Sequence, residues 1–166
     1  MLGYLTRLKK ETPFSHELNG YIEKKFNQLS SGLNVQFVEN DPYFEQGASL
    51  ESASQAMFTD FNSGTLKIWT GASENTIFGL PEINHKFRFI HDYYHCWNNL
   101  GFTPGDELLV NYIQQQIFRK DGLSQFDCDL LNIETAGQVL YFVQNNDFPT
   151  DQRKFSIDEL RKLGYE

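Results

Sequence analysis

Gly101-Phe102-Thr103-Pro104 is the feature that most restricts how this chain folds. Glycine ends a helix, and proline cannot continue one but suits the first turn of the next, with threonine before it as N-cap. The run from Pro81 to Asn99 has helical periodicity, and so does the run carrying Leu108, Leu109, Tyr112, Ile113 and Ile117. Two helices joined by so short a break fold back on one another as an antiparallel hairpin. His95 lies six residues before Gly101 and Glu107 six after it, so the two side chains come level.

The rest of the chain supplies elements for that hairpin to pack against. Ser15 caps a helix bearing Leu18, Tyr21, Ile22, Phe26 and Leu29 and ending near Gly32. Residues 34–38 and 65–69 read as short strands on either side of a helix from Ser49 to Phe61, and together predict a small antiparallel ribbon. A further helix is expected from Asp127 to Asn146 and a last one from Ser156 to Leu163. Residues 1 to 12 form an amphipathic lead with Leu2, Leu5 and Leu8 at helical spacing. The expectation is one mainly α domain over residues 1–166, a helical bundle with a minor two-stranded ribbon. With 40% apolar and 15% aromatic residues, such a core is readily filled and disorder is not expected.

Charge and cysteine content narrow the function classes. A net charge of -8, with no basic cluster beyond Arg7-Leu8-Lys9-Lys10, argues against binding nucleic-acid backbones or anionic membranes. Cys96 and Cys128 have no metal-knuckle or redox spacing and read as reduced thiols. No signal-like run and no stretch long enough to span a bilayer occurs, so a cytoplasmic protein is expected.

At about 100° per residue, Arg88, His91, Asp92, His95 and Asn99 fall on one side of the first hairpin helix, opposite Phe89, Ile90, Tyr93, Tyr94 and Trp97. Solvent-facing stripes are normally filled with Lys and Glu, and this one holds neither. His91 and His95 are spaced i, i+4, which sets both imidazoles on one face, one turn apart. Glu107, brought level by the hairpin, completes two imidazoles and a carboxylate. That set suits Zn²⁺ first, with Fe²⁺ or Mn²⁺ as alternatives, and leaves a position for water or substrate.

Asp92 is expected to be a fourth ligand or a general base. Arg88 either orients a negatively charged substrate group or neutralises Asp92 or Glu134. Asn111, Glu134 and Gln138 are candidates for holding ligands or substrate by hydrogen bonds. Gln114 and Gln115 lie beside Glu107 on the same stripe, and for Glu134 and the glutamines a solvated face is the competing reading. The chemistry expected is hydrolysis of a small polar or anionic molecule by a metal-activated water.

Two alternatives stand beside it. In an HD-type phosphohydrolase, His91-Asp92 would join an upstream His16 or His85 and a downstream Asp121, Asp127 or Asp129. The other is a binding or inhibitor module for a protein partner, with a structural metal or none. His-Asp-x-x-His also differs from the zincin helix motif by Asp for Glu, whose shorter reach disfavours a conventional metalloprotease.

His91-Asp92-x-x-His95, eleven residues and Glu107 resemble the H-D-x-x-H-x11-E zinc motif of the scaffold/decarboxylase family acting in coenzyme Q biosynthesis. The resemblance covers residues 87–109 and implies that the two His, the Asp and the Glu bind zinc. The same stretch also looks like small uncharacterised bacteriophage proteins.

Overall fold

Ser15, with extended backbone, accepts a hydrogen bond from the Leu18 amide (3.1 Å) and so opens α1 (His16–Leu29), which buries Leu18 and Ile22. The computed structural model describes residues 11–166. The lead bearing Leu2, Leu5 and Leu8, and the Arg7-Leu8-Lys9-Lys10 cluster, lie outside the described residues. After α1 the chain forms β1 (Asn34–Val38), α2 (Leu50–Asn62) and β2 (Thr65–Trp69). A reciprocal pair of hydrogen bonds between Ser49 and Ser52 caps α2.

The two strands pair in parallel, in register from Asn34 opposite Thr65 to Val38 opposite Trp69. This corrects the antiparallel ribbon expected from sequence. The cause is α2, which lies between the strands as a crossover and carries the chain back to the edge where β1 began; an antiparallel pair would be joined by a tight turn. The buried face of β2, Leu66 and Ile68, joins the main core with Leu18, Ile22, Met57, Phe78, Phe89 and Phe118.

The hairpin forms as the sequence predicts. Pro81 occupies the first turn of α3 (Pro81–Trp97), and the Thr103 hydroxyl accepts from the Asp106 amide (3.2 Å) at the start of α4 (Pro104–Lys120). The break between them is pinned from two sides. The Gly101 amide donates to Asp106 Oδ2 (3.2 Å) and the Phe102 amide to Ser54 Oγ (3.0 Å) on α2. A side chain at Gly101 would place its Cβ 2.7 Å from that same Ser54 oxygen, so close approach to α2 requires glycine here.

The helix expected over 127–146 is three segments: α5 (Gln125–Asn132), a π-helical turn (Ile133–Gly137) and α6 (Gln138–Asn145). At the wide turn Thr135 Oγ1 lies 2.8 Å from Leu131 O and 2.5 Å from Asn111 Oδ1 of α4. The final helix, α7 (Gln152–Lys162), starts earlier than expected. Asp151 caps it through the Lys154 amide (2.9 Å), and Ser156 lies inside it, bonded to Gln152 O. No helix of the described residues is long and apolar enough to cross a membrane.

Candidate metal centre

The hairpin brings His91, His95 and Glu107 together. Glu107 Oε2 lies 2.9 Å from His91 Nε2 and 3.2 Å from His95 Nε2, and the two imidazole nitrogens are 3.0 Å apart. Among the described residues, no other group of three His, Cys, Asp or Glu side chains converges to within 4.8 Å. A first-row divalent ion with bonds of about 2.0–2.1 Å separates neighbouring ligand atoms by roughly 2.9–3.4 Å, from octahedral to tetrahedral angles. The observed spacings lie within that range.

The ring nitrogens facing away from the cluster fix the tautomers. His95 Nδ1 lies 3.1 Å from Leu100 O, and a carbonyl only accepts, so Nδ1 carries the hydrogen. His91 Nδ1 lies 2.8 Å from Gln114 Oε1 and donates to it in the same way. In its neutral form each imidazole then has its Nε2 lone pair directed into the cluster with Glu107. Outer hydrogen bonds of this kind set tautomer and ring orientation at metal-binding histidines.

Without a metal, the convergence is electrostatically costly unless a proton lies among the three groups. Burial alone would depress the His91 pKa. The Glu107 carboxylate, accepting its hydrogen bond and adding its charge, outweighs burial, and with Asp92 and Gln114 raises it to about 9. For Glu107 burial works upward, but the bonds and charges of His91 and His95 hold its carboxyl well below the usual carboxylate range. Burial pushes Asp92 up to about 6, against the pull of both histidines.

His95 is fully buried, whereas His91 and Glu107 keep 16% and 19% of their side chains exposed. Those two, with Asp92, face a cavity of about 280 Å³. The open side of the three-residue cluster is thus turned toward a space that a small molecule could enter. Trp69, Phe44, Phe102 and Phe148 provide apolar wall, and Arg88, Glu134 and Gln138 polar wall.

The other residues singled out by sequence take varied places. Asp92 lines the cavity but is not among the three converging groups, a position that suits a proton acceptor more than a fourth ligand. Arg88 directs its guanidinium at backbone carbonyls, Nη1 to Trp69 O (2.9 Å) and Gly71 O (2.6 Å) and Nη2 to Ala72 O (3.4 Å), and stacks on the Trp69 ring. It latches the end of β2 to α3. Asn111 donates to Asn132 Oδ1 (2.8 Å) and meets Thr135, so it holds the π turn against α4.

Gln114, Gln115 and Gln138 are buried, which removes the solvated-face reading for all three. Gln114 is the residue whose role the stripe alone did not reveal. It lies seven residues after Glu107, two turns along the same face of α4, and that spacing was the available signal.

The alternative HD-type set does not assemble. His16 is exposed, and His85 Nε2 lies 3.1 Å from Thr70 O. Asp121 pairs with Lys25 and Tyr21, Asp127 caps with Ser124, and Asp129 accepts from Tyr165. Comparison with protein-family models, characterised proteins and solved structures finds none that matches this chain.

Proposed function

We propose that the protein is a metal-dependent enzyme, with His91, His95 and Glu107 as ligands of a divalent ion and the adjoining cavity as its substrate site. The observation that carries this reading is the pairing of each Nδ1 with an acceptor, Gln114 or Leu100 O, while both Nε2 atoms and Glu107 Oε2 converge at 2.9–3.2 Å. The likeness of the same stretch to the coenzyme Q family's zinc motif supports these three ligands, although that motif also counts its Asp, here Asp92, among them.

Hydrolysis is the reaction the surroundings favour. A divalent ion held by three protein ligands lowers the pKa of a coordinated water toward about 7. Asp92, pushed up to about 6 by burial, is placed on the cavity wall to accept a proton and pass it to a leaving group. Arg88 is not assigned to substrate, since its guanidinium is engaged by three carbonyls.

The reading is tested by metal analysis of untagged protein purified without chelators. One equivalent of zinc, iron or manganese is expected, falling below about one tenth in a His91→Ala, His95→Ala variant that keeps its fold. A metal content that is low in both proteins would refute the proposal.

A further inference from the structure

The two edges of the small sheet differ. In a parallel ladder alternate residues turn their backbone groups toward the partner strand. The Asn34 amide donates to Gly64 O (2.8 Å) and Val38 O accepts from the Thr70 amide (2.9 Å), so Asn34, Gln36 and Val38 face β2. Val35 and Phe37 therefore turn their N–H and C=O groups outward. At the opposite edge side chains cover the outward groups of β2: the Lys67 amide donates to Tyr43 Oη (3.2 Å), and Trp69 O accepts from Arg88 Nη1 (2.9 Å). Among the described residues nothing covers those of β1, where the sheet ends.

The side chains repeat the pattern. Val35 lies opposite Leu66 and Phe37 opposite Ile68, on the face that joins the core. Leu66 and Ile68 are buried, but Phe37, against the rings of Phe26 and His85 (centroids 6.1 and 5.9 Å), is 45% exposed. The core face stops one strand short. Open edges are ordinarily guarded by charge or proline, and Asn34-Val35-Gln36-Phe37-Val38 has neither. What fits is an extended strand that brings an apolar side chain level with Phe37.

A second copy of β1 is such a strand. Run antiparallel about a two-fold axis at Gln36, it sets Val35 opposite Phe37 of the other copy, and each of these two pairs exchanges two hydrogen bonds. Neighbouring registers use groups already engaged. An axis at Val35 brings Phe37 opposite Leu33, whose amide is bonded to Ser30 O (3.0 Å), and an axis at Phe37 brings Val35 opposite Glu39, whose carbonyl accepts from Trp69 Nε1 (3.0 Å). Charge permits the pairing as well. Asn34 falls opposite Val38 and Glu39 opposite Leu33, so despite a net charge of -8 no carboxylate meets another across the strands. A pair of five-residue strands buries less than the roughly 1,200 Å² of stable complexes, so the association is weak.

We propose that β1 is a self-association edge, through which two copies of this chain pair as antiparallel strands about Gln36 and join their sheets into one of four strands. The expected dissociation constant is roughly 10 μM to 1 mM. The contact uses no residue of the metal centre.

Sedimentation equilibrium of the untagged protein, from about 10 μM to 1 mM, should show a monomer–dimer equilibrium. Val35→Pro removes an outward donor without touching the ladder to β2, and Phe37→Lys puts a charge on the edge; each should weaken association about tenfold or more. Phe37 is exposed, so Phe37→Lys decides the matter if Val35→Pro does not fold. Hydrogen exchange of the Val35 and Phe37 amides should slow about twofold or more across the same concentrations. Isotope-filtered NMR of mixed labelled and unlabelled chains should show Val35 of one copy beside Phe37 of the other. A chain that stays monomeric at the highest concentration overturns the proposal and leaves the edge to a different polypeptide. A dimer that survives both substitutions also overturns it, since another surface then joins the copies. So do edge amides protected at every concentration, which would mean that the chain covers its own edge.

Discussion

His91 Nδ1 lies 2.8 Å from Oε1 of Gln114, which is seven residues beyond Glu107 on the same helix. One face of α4 thus supplies both a candidate ligand and the hydrogen-bond partner of a second candidate ligand on α3. Replacing Gln114 with Leu keeps the buried volume but frees the His91 ring to rotate and to take the other tautomer. Metal affinity should fall about 10–100-fold, as read by competition with a chromophoric chelator. The melting temperature should change little, because the substitution also removes the unpaired Gln114 Nε2. An affinity within twofold of the parent chain would show that Gln114 does not orient His91.

Metal uptake should expel a proton. In the metal-free chain His91 titrates at about 9, so at neutral pH it is protonated and its Nε2 lone pair is blocked. Glu107 is already ionised there, held well below the usual range by both histidines. Metal affinity should rise about tenfold per pH unit up to roughly pH 9 and then level off. At pH 7 calorimetry in buffers of different ionisation heats should report close to one proton released per ion. Release of no proton would contradict the shared-proton arrangement of the empty cluster.

Much of the candidate site was legible because it is local. The i, i+4 spacing of His91 and His95 and the stop at Gly101 with restart at Pro104 need only helix geometry, and together they bring Glu107 to both histidines. Both strand ranges were legible for the same reason. Strand direction was not, because it depends on where α2 delivers the chain, which no property of residues 34–38 or 65–69 records. The π turn was hidden too. Leu130, Leu131, Ile133, Val139 and Leu140 fit an ordinary helical period nearly as well, and the wide turn is held by Thr135 and Asn111, partners 24 residues apart. Arg88 shows the remaining limit: a guanidinium on a polar stripe reads as an anion site until the carbonyls of Trp69 and Gly71 are seen to occupy it.

That latch is itself testable. Arg88→Met keeps the aliphatic stem but leaves the carbonyls of Trp69 and Gly71 without their donor and removes the stack on Trp69. Unpairing such groups should lower stability by about 1 to 3 kcal/mol in chemical denaturation. Metal stoichiometry should stay the same, since no ligand contacts Arg88. Unchanged stability, combined with lost binding of inorganic phosphate, would return Arg88 to the role of an anion receptor.

Glu134 gives the last prediction. Burial raises its carboxyl to about 7, although the nearby Gln138 amide and the Arg88 charge favour ionisation. A folded-state pKa raised above the ordinary 4.5 means that the neutral form favours folding below about pH 4.5. That contribution is lost as pH rises through about 7. Glu134→Gln cannot ionise and escapes the loss. Metal-free Glu134→Gln should therefore match the parent at pH 4.5 and exceed it by about 1 to 3 kcal/mol at pH 8. Asp92 titrates with the same sign in both proteins, so the difference between them isolates Glu134. A gain of equal size at both pH values would mean that the substitution improves packing and removes no charge penalty.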